Sequence, residues 1–150
     1  MALPIVAQDN QEVTSELRAY RVVVDQEENE EKLVDLESVN PGDIVQYDLV
    51  YRNNMASAIS NLKPELPVPG GMVYLNETAS PELVGASLNR EGQFEALPIV
   101  RQRTLPNGES RDITVPAEEY QRLQWLIPDL AAGEEVVISV RMRVINSGNS

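Results

Sequence analysis

The chain contains no cysteine and no histidine. The first absence excludes disulfides, thiol nucleophiles and thiolate metal sites. The second removes the side chain that most often serves as a general base near neutral pH, and the two together exclude Cys/His zinc centres. Cysteine usage does not fix a compartment, because a domain with an adequate core needs no disulfide even in oxidising surroundings. Aromatic residues are scarce, with Trp125 and Phe94 each the sole example of its kind. Lys32 and Lys63 are the only lysines, and neither sits in a Ser-x-x-Lys motif. There is no Gly-x-Ser-x-Gly elbow and no glycine-rich phosphate loop. No apolar run approaches the roughly 18 residues that span a bilayer, so no transmembrane helix is expected.

Acidic residues are abundant: 24 against 12 basic ones, a formal charge of -12. Such a surface repels polyanions, so neither nucleic acid nor an anionic membrane is an expected partner. The 150 residues are 42% apolar, enough for one domain with a proper core. Folding at this size withdraws about 70% of the unfolded chain's surface from water. At the N-terminus, residues 1–7 form a short apolar stretch that ends in Ala7 before Gln8. They read equally well as a signal-peptide remnant or as a frayed start, since no basic or long apolar region precedes them. Residues 1–15 and 147–150 are expected to be flexible, leaving one domain over 16–146.

Alternation with period two dominates. Val45, Tyr47, Leu49 and Tyr51 share one face between Ile44 and Arg52, opposed by Gln46 and Asp48. Val136, Ile138, Val140, Met142 and Val144 repeat the pattern against Ser139, Arg141 and Arg143. Tyr20, Val22 and Val24 define a third strand, and Leu123, Trp125 and Ile127 a fourth. Turn residues separate the runs: Asn40-Pro41-Gly42-Asp43, Pro69-Gly70-Gly71, Glu91-Gly92, Asn107-Gly108 and Ala132-Gly133. Asn107-Gly108 is the strongest hairpin signal, with Arg101–Leu105 before it and Arg111–Val115 after it. Arg18–Asp25 and Lys32–Ser38 read as an N-terminal hairpin with an exposed acidic loop between them. Helix is reduced to one turn after Pro116, where Glu118 and Glu119 suit the positive end.

The segment Pro41-Gly42-Asp43-Ile44-Val45-Gln46-Tyr47-Asp48-Leu49-Val50-Tyr51-Arg52-Asn53-Asn54 resembles the opening of a bacterial conserved-repeat domain, the family called domain of unknown function eleven. Leu66-Pro67-Val68-Pro69-Gly70-Gly71-Met72-Val73-Tyr74-Leu75 is similar to its next segment. Trp125 to Glu134, followed by Glu135–Val144, is similar to its closing Trp strand, turn and valine-rich strand. The likeness covers roughly residues 38–146. It departs from the pattern at Asn53-Asn54-Met55, where Asn-Thr-Gly is usual, and at Ala132, where Pro is usual. The resemblance implies an immunoglobulin-like sandwich in an exported or cell-surface protein, and it implies no defined activity.

Each candidate site has a plain structural reading beside it. The acidic run Asp25, Glu27, Glu28, Glu30, Glu31, Asp35 and Glu37 is oxygen-rich, as a calcium loop must be. It lacks the Asp-x-Asp-x-Asp-Gly pattern and reads as a solvated loop. Trp125 is in phase with Leu123 and Ile127 and belongs in the core; Tyr47, Tyr51 and Tyr74 are likewise in phase, and Tyr120 is the tyrosine expected to be exposed. Glu118 and Glu119 with Asp112, or Asp43 with Asp48, are the only carboxylate pairings the sequence suggests. Nothing in the sequence sets them at the separation glycoside hydrolysis requires. The Arg101-Gln102-Arg103 and Arg141-Met142-Arg143 pairs read as outward-facing strand residues matched by acidic neighbours.

The resulting expectation is all-β: an immunoglobulin-like β-sandwich of about seven to nine strands with an extra N-terminal hairpin. No catalytic, metal or cofactor residues are assigned, no cofactor is expected, and the chain is expected not to be an enzyme. The expected role is a structural or protein-interaction module, periplasmic or at the cell surface, whose partner is another envelope or surface protein. Met55–Asn61, Asn76–Pro81 and the hairpin 101–116 are the expected contact surfaces. The alternative is a carbohydrate- or calcium-binding sandwich module.

Overall fold

In a computed structural model, residues 12–145 are described. Residues 1–7, read above as either a signal-peptide remnant or a frayed start, and the expected tail at 147–150 lie outside them. The described residues are almost wholly β, in thirteen strands: β1 Val13–Asp25, β2 Glu30–Asp35, β3 Ile44–Asn53, β4 Ile59–Leu62, β5 Glu65–Pro67, β6 Met72–Tyr74, β7 Gly85–Ser87, β8 Glu95–Ala96, β9 Val100–Thr104, β10 Ser110–Thr114, β11 Arg122–Gln124, β12 Ile127–Leu130 and β13 Glu135–Val144. The count exceeds the expected seven to nine because much of the second layer is cut into strands of two to four residues. Among the described residues no helix is long and apolar enough to cross a membrane.

One layer is a five-stranded antiparallel sheet in the order β2-β1-β3-β13-β6. Its register explains which face is buried. Leu17, Leu49 and Ile138 stand opposite one another, as do Ala19, Tyr47 and Val140, and these residues face the second layer. Leu49, Ile138 and Val140 are each no more than 3% exposed. A sequence with period two puts Gln46, Asp48 and Ser139 on the other face, where Ser139 donates to Asp48 at 2.9 Å. Tyr20, Val22 and Val24 fall on this outer face too, and Val24 is 59% exposed. Their alternation is genuine, but the β1 residue packed against the core is Leu17. Far from being an appendage, β1 is an interior strand of this sheet, paired with β3 from Val13 to Val22. The sheet therefore begins three residues before the expected domain start at 16.

The second layer holds β5-β11-β7-β8 together with the pair β12-β4. Leu66, Leu123 and Ala86 line up across it and are buried against the first sheet. The strand expected over Leu123–Ile127 is divided into β11 and β12, although its alternation survives: Leu123, Trp125 and Ile127 are all buried. The opposing strand breaks at the same level, at Pro64, which has no N–H to give a ladder. The Trp125 N–H bonds to the Pro64 carbonyl at 2.9 Å, so both strands change partners together.

The expected turns form. Gly42 and Gly133 take φ of 95° and 76°, a region open to glycine without steric cost. Their N–H groups bond to Val144 and Asn53 at 2.7 and 2.8 Å, tying the turns to strand ends.

Candidate functional site

The hairpin predicted around Asn107-Gly108 stands apart from both sheets. β9 and β10 form a two-stranded sheet of their own, and every residue of β9 is exposed, as is all of β10 except the half-buried Ile113. At about 3.3 Å per residue the arm projects roughly 17 Å. Its stem is anchored: the Val115 N–H bonds to the Ile99 carbonyl at 2.8 Å, and both residues are core. On one face Arg103 and Arg111 stand directly opposite each other. Arg101 on that face is paired with Glu95 at 2.6 Å, whereas Arg103 and Arg111 have no ion-pair partner among the described residues. The expectation that outward arginines are matched by acid holds for Arg101 and for Arg141, which pairs with Glu31, and among the described residues it fails for Arg103 and Arg143.

At the base of the arm lies a cleft made of two adjoining cavities of about 350 and 520 Å³. The segment 74–83 forms one wall, Leu97 and Pro98 another, and the arm's return, Thr114–Ala117, a third. Loop Asn76–Pro81 and hairpin 101–116, two of the expected contact surfaces, therefore meet here. Local bonds hold the loop: the Thr78 hydroxyl donates to the Leu75 carbonyl at 2.7 Å, and Ser80 bridges to Ser139. Met55–Asn61 is remote. It follows the end of β3, whose Asn53 N–H bonds to Glu134, while β6 and the cleft adjoin the other end of β13.

Tyr74 and Tyr120 form the cleft's inner wall, with ring centroids 5.9 Å apart and planes 14° from parallel. Tyr120 is 7% exposed, which corrects the expectation that it would be the exposed tyrosine. It follows the 3-10 turn Ala117–Glu119, and that turn folds it back onto β6; sequence periodicity gives no sign of this. Burial raises the pKa of both phenols, and for Tyr74 the backbone N–H groups of Glu77, Ala79 and Thr78 work in the opposite direction.

Among the described residues, the carboxylates whose pKa departs from the ordinary value, Glu16, Asp25, Glu31 and Glu95, are all lowered, chiefly by hydrogen bonds from Arg18, Lys32, Arg141 and Arg101. A general acid needs the opposite shift. Asp43 accepts from the Asn40 N–H, and Asp48 from Gln46 and Ser139, so that paper pairing is spent on structure. Among the described residues no three Asp or Glu side chains converge as a cation site would require, and in the acidic hairpin Asp25 and Glu28 are turned to Lys32. Trp125 is fully buried, with its indole N–H donated to the Pro81 carbonyl at 2.8 Å.

The molecule is thus an all-β protein of sandwich type with a projecting hairpin over an open cleft. No protein-family model matches the chain, and comparison with curated proteins and with solved structures finds no match either.

Proposed function

We propose that this chain is a non-catalytic interaction module that docks another protein through the β9–β10 arm and the cleft at its base. One observation carries the reading: an arm whose residues are almost all exposed and whose strands pair only with each other. An isolated two-stranded hairpin is marginal in water, and ordering each residue costs about 1–2 kcal/mol, so nothing within the sandwich repays its length. A partner that covers the arm does. The downward displacement of the perturbed carboxylates, and a sequence without histidine or cysteine, support a role without catalysis. The family resemblance supports the immunoglobulin-like type and an exported or cell-surface setting, in which the partner is an envelope protein.

The test compares the intact tagged chain with a variant in which residues 102–112 are replaced by a tight Asn-Gly turn. Both are used to capture proteins from the source's envelope fraction. A protein held by the intact chain and lost by the variant, with both variants melting alike, supports the reading. Capture indifferent to the arm overturns it.

A further inference from the structure

Glu77 and Glu82 both line the cleft, and neither has an ion-pair partner among the described residues. No lysine or arginine lines either cavity. Carboxylates alone would define nothing in so acidic a chain. Tyr120 sets this place apart: it is 7% exposed and lines both cavities, yet its hydroxyl makes no hydrogen bond to another described residue. Buried phenols normally find a partner, and one left open beside a cavity is an unfilled acceptor and donor. Leu83 and Leu97 supply the apolar surface between these polar groups.

We propose that the cleft takes a basic side chain of a partner protein, a lysine or arginine. Its aliphatic stem lies along Leu83 and Leu97, and its charged head meets Glu77, Glu82 and the Tyr120 oxygen. Long basic side chains divide themselves in this way, stem on apolar surface and head among acceptors. Hydrogen bonds to ionised carboxylates are the stronger kind. The net charge of -12 attracts a cationic segment and repels an acidic one. A sugar suits the site less well, because the tyrosine rings are stacked on each other and offer it no open face. The inference rests on the interaction reading and names the partner's chemistry at one point of contact.

The full chain is titrated with acetyl-Gly-Lys-Gly-amide, acetyl-Gly-Arg-Gly-amide and acetyl-Gly-Glu-Gly-amide, followed by amide chemical shifts in NMR. Saturable shifts at Asn76, Glu82, Leu83, Leu97 and Tyr120 are expected with a basic peptide, weaker in high salt, and absent with the glutamate peptide. Glu77→Gln with Glu82→Gln should weaken binding about tenfold, since both charge-assisted acceptors are lost. Tyr120→Phe keeps the ring stack and should weaken it roughly threefold through one lost hydrogen bond. Glu77 and Glu82 are exposed, so the double variant leaves the core alone, and its spectrum reports folding directly. Three results overturn the proposal: no saturation by either basic peptide at about 10 mM, equal response to the glutamate peptide, or affinity unchanged in the double variant. Shifts at the same residues with an oligosaccharide alone overturn it too and reassign the cleft. Arm-dependent capture of a partner uses none of these peptides, so the interaction reading stands or falls separately.

Discussion

Arg141 and Glu31 join opposite parts of the five-stranded sheet, β13 and β2, with β3 and β1 lying between their strands. The guanidinium meets both carboxylate oxygens, at 3.1 and 3.2 Å, while its Nε donates to Gln46 on β3 at 3.0 Å. This outer-face strap crosses the sheet to reach the edge strand, whose ladder partner is β1.

The strap makes a pH-dependent contribution of predictable sign. The hydrogen bond from Arg141 holds the Glu31 carboxyl below its ordinary value of 4.5. A carboxyl with a lowered folded pKa adds stability above its unfolded pKa and loses it as pH falls through the folded value. Glu31→Gln should therefore be slightly less stable than the parent near pH 7. The gap should begin to narrow as pH falls below the ordinary glutamate value and close once the pH lies below the lowered folded value. Urea unfolding across that range measures it, and a gap that widens on acidification contradicts the assignment. The exposure of Glu31 keeps the effect small and sensitive to salt.

A larger loss is expected at Asn53, which is 0% exposed at the end of β3. Its amide nitrogen donates to the carbonyls of Ser57, Leu130 and Ala131 at 2.9–3.1 Å, and its oxygen accepts from the Met55 N–H. One side chain thus satisfies backbone groups of two loops. Asn53→Ala leaves them unpaired in a buried place and should cost about 2–4 kcal/mol. Asn53→Asp should do no better, because a carboxylate cannot donate to three carbonyls. Chemical unfolding monitored by circular dichroism gives both values.

Trp125→Phe tests the coupling of the two layers. The indole is fully buried and its N–H reaches the Pro81 carbonyl at 2.8 Å. Removing the donor and part of the ring should cost about 2–4 kcal/mol. The sole tryptophan of the parent should emit at short wavelength when folded and shift to the red on unfolding. Emission already red in the native protein would refute the buried placement.

Legibility in the sequence followed the range of the interactions. β3 and β13 alternate over ten residues each, so their faces could be read from Val45–Tyr51 and Val136–Val144, and the register agrees. The Asn107-Gly108 hairpin and the Trp125 core position are likewise written in local chemistry. Tyr120 was not legible, because its burial depends on a 3-10 turn that folds it onto Tyr74, far away in the chain. The same is true of the cleft, whose walls come from three distant segments. Tyr20, Val22 and Val24 alternate as a core strand does; only pairing with Gln46 reveals that they face outward. Asn53 stands in the segment that carries the resemblance, but nothing in the local sequence shows the carbonyls of Leu130 and Ala131 that its amide reaches.

Arg103 and Arg111 yield the prediction that separates stability from function. Like charges directly opposite in a hairpin repel, and their replacement by an opposite pair typically gains about 0.2–1 kcal/mol. Arg103→Glu should thus tighten the arm, seen as slower amide exchange in β9 and β10 and an unchanged or slightly raised melting temperature. If the arm serves to dock a partner, that better-ordered variant should capture it less well, because the basic face is lost. Reversing the other member as well, with Arg111→Glu, restores like-charge repulsion without restoring the basic face. It should loosen the arm again while capture stays low. A double variant that regained capture would mean that arm flexibility, rather than its charge, governs binding.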